Sequence, residues 1–195
     1  MALATDGTRR FGRTSGNSLH AALLLAVALL GPSCGGDGGG TPAGGPCLEF
    51  SPAASPVPGT VSTRVVANGC STIDLELQIT DVTDVFAVQF TVTFDPLVVA
   101  FESMSTAGSL LESDGASLGM QIDPSPGMVD IGVTRLAPSG RDAVGTARLL
   151  TLRFRQEAAA GATLVSYGDT RVLGSETPPQ EKPGISWTGG TAESL

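Results

Sequence analysis

Carboxylates are the side chains of this sequence with the clearest capacity for chemistry, and calcium is the ligand that they would suit. Asp81 and Asp84 lie three residues apart, and Asp114 and Asp123 follow further along the chain. Calcium takes about 6–8 oxygen ligands, several of which usually come from one contiguous loop. Two aspartates at this spacing do not supply such a loop. We therefore expect solvated loop carboxylates and no metal or cofactor site.

The remaining reactive side chains do not indicate a catalytic site. His20 is the only histidine of the 195 residues, so a Ser-His-Asp arrangement or a His-ligated zinc would depend on it. A glycosidase needs two acids across a cleft, and nothing in the sequence singles out such a pair among the 19 acidic residues. We therefore predict that the protein is not an enzyme.

Charge patterning argues against nucleic acid as a partner. The formal net charge is -8, and the 11 Lys and Arg residues are scattered along the chain. Phosphate contacts require clustered cations. The apolar fraction of 41% is enough for one hydrophobic core at this length, so we expect one folded domain.

Residues 1–33 have the pattern of an export signal. Three arginines, Arg9, Arg10 and Arg13, precede the apolar run of residues 21–30. Ten helical residues span roughly 15 Å, about half of the hydrocarbon core of a membrane, so the run is too short to cross it and fits a signal peptide. Removal of this segment would leave 8 basic and 18 acidic side chains and no histidine.

Cys34 follows the apolar run and precedes a Gly-rich stretch at residues 35–40. A cysteine in this place resembles the lipidation site of a bacterial lipoprotein signal, although Gly31 and Pro32 depart from the usual pattern. The resemblance implies that Cys34 carries lipid and that residues 34–46 form a flexible tether. The protein would then be exported and held at a membrane by lipid alone, facing the periplasm or the cell surface. An ordinary secretory signal is the alternative.

Cys47 and Cys70 are the other two cysteines. If Cys34 is lipidated, an even number remains in an exported protein, which predicts a Cys47–Cys70 disulfide. Two unpaired thiols are the alternative, and they are uncommon outside the cytoplasm. The bridge would close a loop whose constraint on the unfolded chain is worth roughly 3 kcal/mol.

From Leu48 onward, apolar and polar side chains alternate with the period of two that is typical of β-strands. The clearest alternation covers residues 86–94, and Leu149 interrupts a later one, so we expect a β-bulge near Leu149. The predicted strands are residues 61–66, 73–79, 86–94, 97–101, 118–122, 129–133, 146–155, 162–173 and 185–187.

Eight to ten short strands with Gly- and Pro-rich turns predict an all-β fold, since no helical period is evident after residue 33. Roughly 150 residues suit a jelly-roll-like β-sandwich, in which two sheets share one core. The predicted organisation is a signal peptide at residues 1–33, a tether at residues 34–46 and a sandwich domain at residues 47–195.

Residues 84–102 resemble the signature stretch of cohesin domains, in which a strand enters an Asp-Pro turn and a second strand follows. Residues 127–132, 145–154 and 185–190 resemble further strands of that family in the same order, so the resemblance covers roughly residues 47–192. The residues that match the signature are Phe86, Gln89, Phe90, Phe94, Asp95, Pro96, Val99 and Phe101.

The resemblance implies a non-catalytic, nine-stranded jelly-roll module that binds another protein. In cellulosomes, cohesins hold calcium-loaded dockerin modules. This chain carries one such domain and has an insertion between Ser51 and Thr72. The implied partner is therefore a dockerin-like protein or another protein of the cell envelope.

The outward side of residues 86–94 is the predicted binding face. Cohesin-like modules, by the same resemblance, bind with one sheet face and not with loop tips. Gln89, Thr91 and Thr93 point outward in the alternation and are neutral, an unusual choice in an acidic chain. The alternative is that threonine stands there because it favours strands.

A polysaccharide-binding module of the cell envelope is the alternative function. Sugar sites need exposed aromatic rings on which a pyranose can stack. After residue 33 the chain has one Trp, Trp187, one Tyr, Tyr167, and six Phe. Because Trp187 is in phase with Ile185 in the last predicted strand, we expect it at the core or its rim.

Overall fold

The computed structural model describes residues 47–194, which form a two-layered β-sandwich. This range contains no α-helix and one short 3-10 helix, η1 (Leu110–Glu112). The predicted all-β jelly-roll-like sandwich is confirmed. Its strands are β1 (Leu48–Pro52), β2 (Thr60–Asn68), β3 (Thr72–Val85), β4 (Ala87–Thr93), β5 (Val99–Ser105), β6 (Leu118–Ser125), β7 (Met128–Arg135), β8 (Arg141–Gln156), β9 (Gly161–Leu173), β10 (Ser186–Thr188) and β11 (Gly190–Ser194).

Two sheets enclose the core. One has six strands in the order β1-β11-β9-β4-β7-β6, and the other has five in the order β10-β2-β3-β8-β5. Neighbouring strands are antiparallel, apart from the parallel pair of β10 and β2. The alternation that predicts β4 buries one side of that strand, since Val88, Phe90 and Val92 are almost fully inaccessible to solvent. Burial of these apolar rows is the main stabilising contribution to such a fold.

The strand count exceeds the predicted eight to ten because β1 has only two alternating apolar residues, Leu48 and Phe50, and β11 carries no alternating apolar signal. β11 lies inside the six-stranded sheet, between β1 and β9. Its inward residues are small: Gly190, Ala192 and Ser194 are buried. The Phe50 ring of β1 lies close to Gly190 and leaves no room for a side chain there, so β11 packs in the sheet because its inward residues are small.

The bulge expected near Leu149 is present. Leu77 of β3 faces Leu150 of β8, whereas the next residue, Gln78, faces Arg148, which leaves Leu149 as the extra residue. Leu149 is fully buried, and its carbonyl accepts a 2.6 Å hydrogen bond from the Ser109 hydroxyl. The bulge therefore joins β8 to the loop that precedes η1.

Asp81 and Asp84 lie in β3 and not in the loop expected from the sequence; Asp81 is exposed as expected, whereas Asp84 is half-buried. Both lie within β3 with positive φ, at 49° and 50°. The Asp81 carboxylate accepts a 2.7 Å hydrogen bond from the Gly145 N–H. The Asp84 carboxylate accepts bonds from the Gly140 N–H and from Ser175. These bonds stabilise two aspartates in the left-handed region, which aspartate tolerates better than most residues.

Cys47 and Cys70 form the disulfide that the sequence predicts, which connects the start of β1 to the turn between β2 and β3. Cys34, the export segment of residues 1–33 and the tether of residues 34–46 lie outside the described residues.

Within residues 47–194, no helix is long and apolar enough to span a bilayer.

Candidate binding face

The outer face of the six-stranded sheet, over strands β9, β4, β7 and β6, contains the predicted site residues. We call it the β4 face. On β7, Gly132 lies opposite Gln89, and Asp130 lies opposite Thr91. On the other side of β4, Gly168 of β9 also lies opposite Thr91. Residues directly opposite each other in a sheet point to the same side. The outward row of β4 is therefore bordered by glycine on both sides.

The three predicted residues differ in accessibility. Gln89 is exposed, whereas Thr93 is half-buried and shares a 2.7 Å hydrogen bond with the Ser166 hydroxyl of β9. Thr91 points outward but is only 8% exposed, because its hydroxyl donates a 2.5 Å hydrogen bond to the Asp130 carboxylate, which lies against it. Thr91 thus points outward, as its phase in the strand predicts, but it is covered by Asp130, and Gln89 is the accessible member of the row.

Gly132 forms the floor of the β4 face. A Cβ atom placed on it would meet only the Cβ of Gln121, at 4.0 Å, so the space above this glycine is open. A hollow of about 190 Å³ lies there, walled by Gln89 of β4, Gln121 of β6 and the Asp130 carboxylate. The sheet is thus indented at its centre, with two amide side chains on the rim.

A second hollow of about 430 Å³ shares Gln89, Gln121 and Gly132 with the first. It extends over Gly119 toward the opposite end of the strands. Its walls are largely apolar and include Phe86, Ala87, Leu173 and Pro179. Together the two hollows form one groove, the Gly132 groove, with an amide-rimmed half and an apolar half. Such a combination of apolar surface and a few polar groups is typical of binding sites.

Two carboxylates lie side by side at the hairpin end of the β4 face. Asp123 of β6 is directly opposite Asp130 of β7, and both are exposed. Like charges directly opposite each other destabilise a sheet. Arg171 of β9 lies opposite Gln89, further from this pair. The face therefore has an acidic end, where a cationic group of a partner would be favoured.

The outer face of the five-stranded sheet is different, because its charged groups are committed to one another. Glu76 of β3 is 1% exposed and accepts hydrogen bonds from Arg64 of β2 at 2.9 Å, from Gln78 at 2.7 Å and from Arg148 of β8. Asp74 is bound bidentately by Arg153, and this hydrogen bonding lowers the pKa of Asp74.

The aromatic side chains that could have stacked on sugar lie largely inside the sandwich. Trp187 packs on Phe90 with ring centroids 5.0 Å apart, and on Tyr167 at 5.8 Å. The Tyr167 hydroxyl pairs with the Thr63 hydroxyl at 2.7 Å, and burial raises the pKa of Tyr167. Trp187 therefore has the core or rim position predicted for it. Among residues 47–194, the large apolar side chains that are exposed include no aromatic ring.

Carboxylates elsewhere in residues 47–194 are not arranged as a metal site, because no three His, Cys, Asp or Glu side chains in that range converge on a common point. Asp114, one of the residues considered from the sequence, is instead an ion-pair partner. It accepts two hydrogen bonds, at 2.8 and 3.1 Å, from the guanidinium of the buried Arg135. These bonds lower the pKa of Asp114 from 3.8 to about 2.

Sequence reasoning missed the glycines of the β4 face. Gly119, Gly132 and Gly168 each occupy an outward position of a strand. A signal was present, because glycine inside a strand weakens it and often marks a close approach by another molecule or backbone. The alternation of β7 predicts its buried row, whereas the open space above the outward Gly132 depends on the neighbouring strands.

The comparisons with known proteins identify a family. The cohesin domain model matches residues 60–182. No curated relative matches the chain. Among solved structures, the chain is similar to the second type II cohesin module of the adaptor ScaA scaffoldin of Acetivibrio cellulolyticus, with 16% identity, a TM-score of 0.54, and 75% of this chain and 88% of that chain covered.

Two structures of complexes from the same organism are also similar in fold. One is a type II cohesin–X–dockerin complex, with 15% identity, a TM-score of 0.52, and 71% of this chain and 95% of that chain covered. The other is the sixth cohesin of scaffoldin B in complex with a dockerin, with 17% identity, a TM-score of 0.51, and 73% and 96% covered.

Proposed function

Since the chain belongs to the cohesin domain family, we propose that it is a non-catalytic module that binds a protein partner through the β4 face. Cohesin modules are binding domains, and the similar structures include cohesins in complex with dockerins. The observation that carries the choice of face is the Gly132 groove, an open and largely uncharged indentation in the sheet.

The β4 face supports this role because its groups remain available. Gln89 and Gln121 are exposed amides at the rim of the groove, each able to donate and accept hydrogen bonds. On the opposite sheet, Glu76 and Asp74 already have arginine partners within the domain. A partner docking there would have to break those pairs, which costs energy. A partner docking on the β4 face would not.

The groups that line the Gly132 groove indicate which side chains a partner should present. Its apolar half, walled by Leu173 and Pro179, would take an apolar side chain. Its rim would pair with polar groups through Gln89 and Gln121. A lysine or arginine of the partner would lie near Asp123 and Asp130, where it would relieve the repulsion of the two carboxylates. We propose a dockerin-like protein or another protein of the cell envelope with these features.

Polysaccharide binding remains the alternative function, with weaker support. Its usual basis is an exposed aromatic platform, whereas Trp187, Tyr167 and Phe90 pack on one another. A sugar ligand would have to depend on the polar rim of the groove alone. The protein partner is therefore preferred.

We further propose that the module works outside the cytoplasm. Residues 1–33 would direct export, Cys34 would carry lipid, and residues 34–46 would let the domain reach its partner from the membrane. The Cys47–Cys70 disulfide agrees with an oxidising compartment. Such a location would place the β4 face among the proteins of the envelope.

Capture from the envelope fraction of the source organism tests the proposal. The immobilised protein should retain a defined protein that a variant with Gly132 replaced by arginine does not retain. Retention of polysaccharide, lost in the same variant, would replace the protein partner by a sugar ligand. Equal retention by both proteins would contradict the choice of the β4 face.

A further inference from the structure

The β6 strand is the longest regular free edge of the sandwich. It spans Leu118–Ser125 and, within residues 47–194, pairs only with β7, without a register shift. The other edges are protected: β10 has three residues, β1 has five and ends at a proline, and β5 has an irregularity between Phe101 and Ser103. Natural proteins usually protect an edge by such devices or by lysine. β6 contains no lysine or arginine, and its one such device is Pro124, the second-last residue of the strand.

Pro124 shows which backbone groups of β6 face the free edge. Proline has no N–H, so in a paired strand it is accommodated where the N–H would point away from the neighbour. Antiparallel strands alternate between residues bonded to the neighbour and residues directed away from it. Leu118, Met120 and Ile122, which share the phase of Pro124, therefore direct their N–H and C=O groups to the free edge.

The same strand leaves two apolar side chains uncovered. Met120 and Ile122 point to the inner side of the sheet, opposite Val133 and Ile131, yet they are 57% and 39% exposed. Their partners on β7 are both buried. β6 thus extends beyond the cover given by the five-stranded sheet, and its inner row has apolar surface without a partner.

We propose that β6 pairs with β6 of a second copy of this chain, antiparallel and centred on Gln121. A two-fold axis perpendicular to the sheet keeps each side chain on its own side of the sheet, so opposite residues are an even number of positions apart in sequence. With Gln121 opposite Gln121 of the second copy, Met120 lies opposite the second Ile122, and Leu118 lies opposite the second Pro124. This register is self-complementary.

Three features favour this occupant. Met120 of each copy exchanges backbone hydrogen bonds with Ile122 of the other copy. Two such pairs form, one on each side of the axis, and they bury the apolar row that is exposed in the monomer. Asp123, the one charged side chain within Leu118–Ser125, lies opposite Gly119 and not opposite its own copy. The Pro124 carbonyl accepts the Leu118 N–H, so at each end of the pairing only the bond from the missing proline N–H to the Leu118 carbonyl is lost.

The pairing is closed and modest in size. Because each copy uses its only long regular edge, the two-fold contact makes a dimer and not a fibre. An eight-residue strand pair buries less than the ~1,200 Å² of stable complexes. We therefore expect a concentration-dependent dimer in which both β4 faces lie on one continuous sheet.

Site-specific cross-linking tests the register without any knowledge of the binding partner. Gln121→Cys places two thiols directly opposite each other at a non-hydrogen-bonded position, where Cα atoms lie about 4.5 Å apart and a disulfide can form. Asp123→Cys is the matched control, because an offset of four residues along the strand places its two Cα atoms about 14 Å apart. On mild oxidation, Gln121→Cys should give a covalent dimer and Asp123→Cys should remain monomeric.

Sedimentation equilibrium of the native chain gives a second readout. Met120→Lys should weaken self-association by about tenfold, because it removes two apolar cross-strand pairs. Val144→Lys, which alters a side chain 90% exposed on β8, should leave it unchanged. A monomer at all concentrations, or equal cross-linking of both cysteine variants, would overturn the proposal. Since neither measurement involves the β4-face ligand, their failure would leave the proposed function unaffected.

Discussion

The Thr91 hydroxyl lies 2.5 Å from a carboxylate oxygen of Asp130, across the outer face of the six-stranded sheet. This bond covers the central threonine of β4 and fixes the carboxylate beside the open Gly132 position. A residue that points away from the core is therefore not automatically available to a ligand. The accessible part of the β4 face is the Gly132 groove and its amide rim.

The Cys47–Cys70 disulfide should contribute to stability. Replacing both cysteines, Cys47→Ser together with Cys70→Ser, removes a cross-link between residues 23 apart. In the chain-entropy view the loss is roughly 3 kcal/mol. Urea unfolding of the double variant and the native chain measures it. Equal stability of the two proteins, with the native disulfide verified by a linked peptide under non-reducing digestion, would contradict the prediction.

The buried Glu76 should be important for stability and not for binding. Glu76→Ala removes the acceptor of Arg64 and Arg148 on the five-stranded sheet, and hydrogen bonds to charged groups are worth about 2 kcal/mol. The urea midpoint should therefore fall.

Glu193→Ala is the matched control for this substitution, because it removes an exposed carboxylate on β11. Such surface changes usually stay within about 0.5 kcal/mol. Equal urea midpoints of the two variants, or loss of partner capture by a folded Glu76→Ala protein, would contradict the role assigned to Glu76.

Asp114 should make the free energy of unfolding depend on pH in the acid range. The Arg135 guanidinium lowers the pKa of Asp114 from 3.8 to about 2 in the folded state. Because the pKa of Asp114 is lower in the folded than in the unfolded state, the carboxylate contributes fully to the free energy of unfolding above pH 3.8. This contribution is lost as the pH falls toward 2. Asp114→Asn should therefore destabilise the protein at pH 7, and its difference from the native chain should shrink toward pH 2. A difference that stays constant over this range would contradict the assignment.

Lipid at Cys34 is a prediction of the sequence. The intact mass of the protein extracted from membranes should correspond to a chain that begins at Cys34 and carries two or three acyl groups. Cys34→Ser should release the protein into the soluble exported fraction, because the anchor is then missing. A soluble native protein that begins at another residue would contradict this prediction.

Much of the fold could be predicted because the alternation of apolar and polar side chains along a strand shows which side of the strand is buried. The run from Phe86 to Phe94 identifies β4, and the interruption at Leu149 identifies a bulge that the register confirms. β11 was missed because it packs through Gly190, Ala192 and Ser194, whose small size carries no apolar signal.

The site was predicted only in part for a related reason. The phase of Gln89, Thr91 and Thr93 follows from the sequence, but the accessibility of each depends on its neighbours across the sheet. Asp130 covers Thr91, and Gly132 opens the space beside Gln89. These neighbours lie about forty residues further along the chain, and their pairing with β4 is a property of the fold and not of local sequence.

The binding of the envelope partner to native, Gly132→Arg and Val144→Arg proteins tests the central claim most directly. Gly132 tolerates a side chain because a Cβ there meets only Gln121, at 4.0 Å, so the variant should fold with an unchanged thermal midpoint. Its arginine would fill the groove, and we expect affinity to fall by tenfold or more. Val144→Arg adds the same residue at an exposed position on the other sheet and should bind normally. Native affinity in a folded Gly132→Arg protein would contradict the assignment of the β4 face.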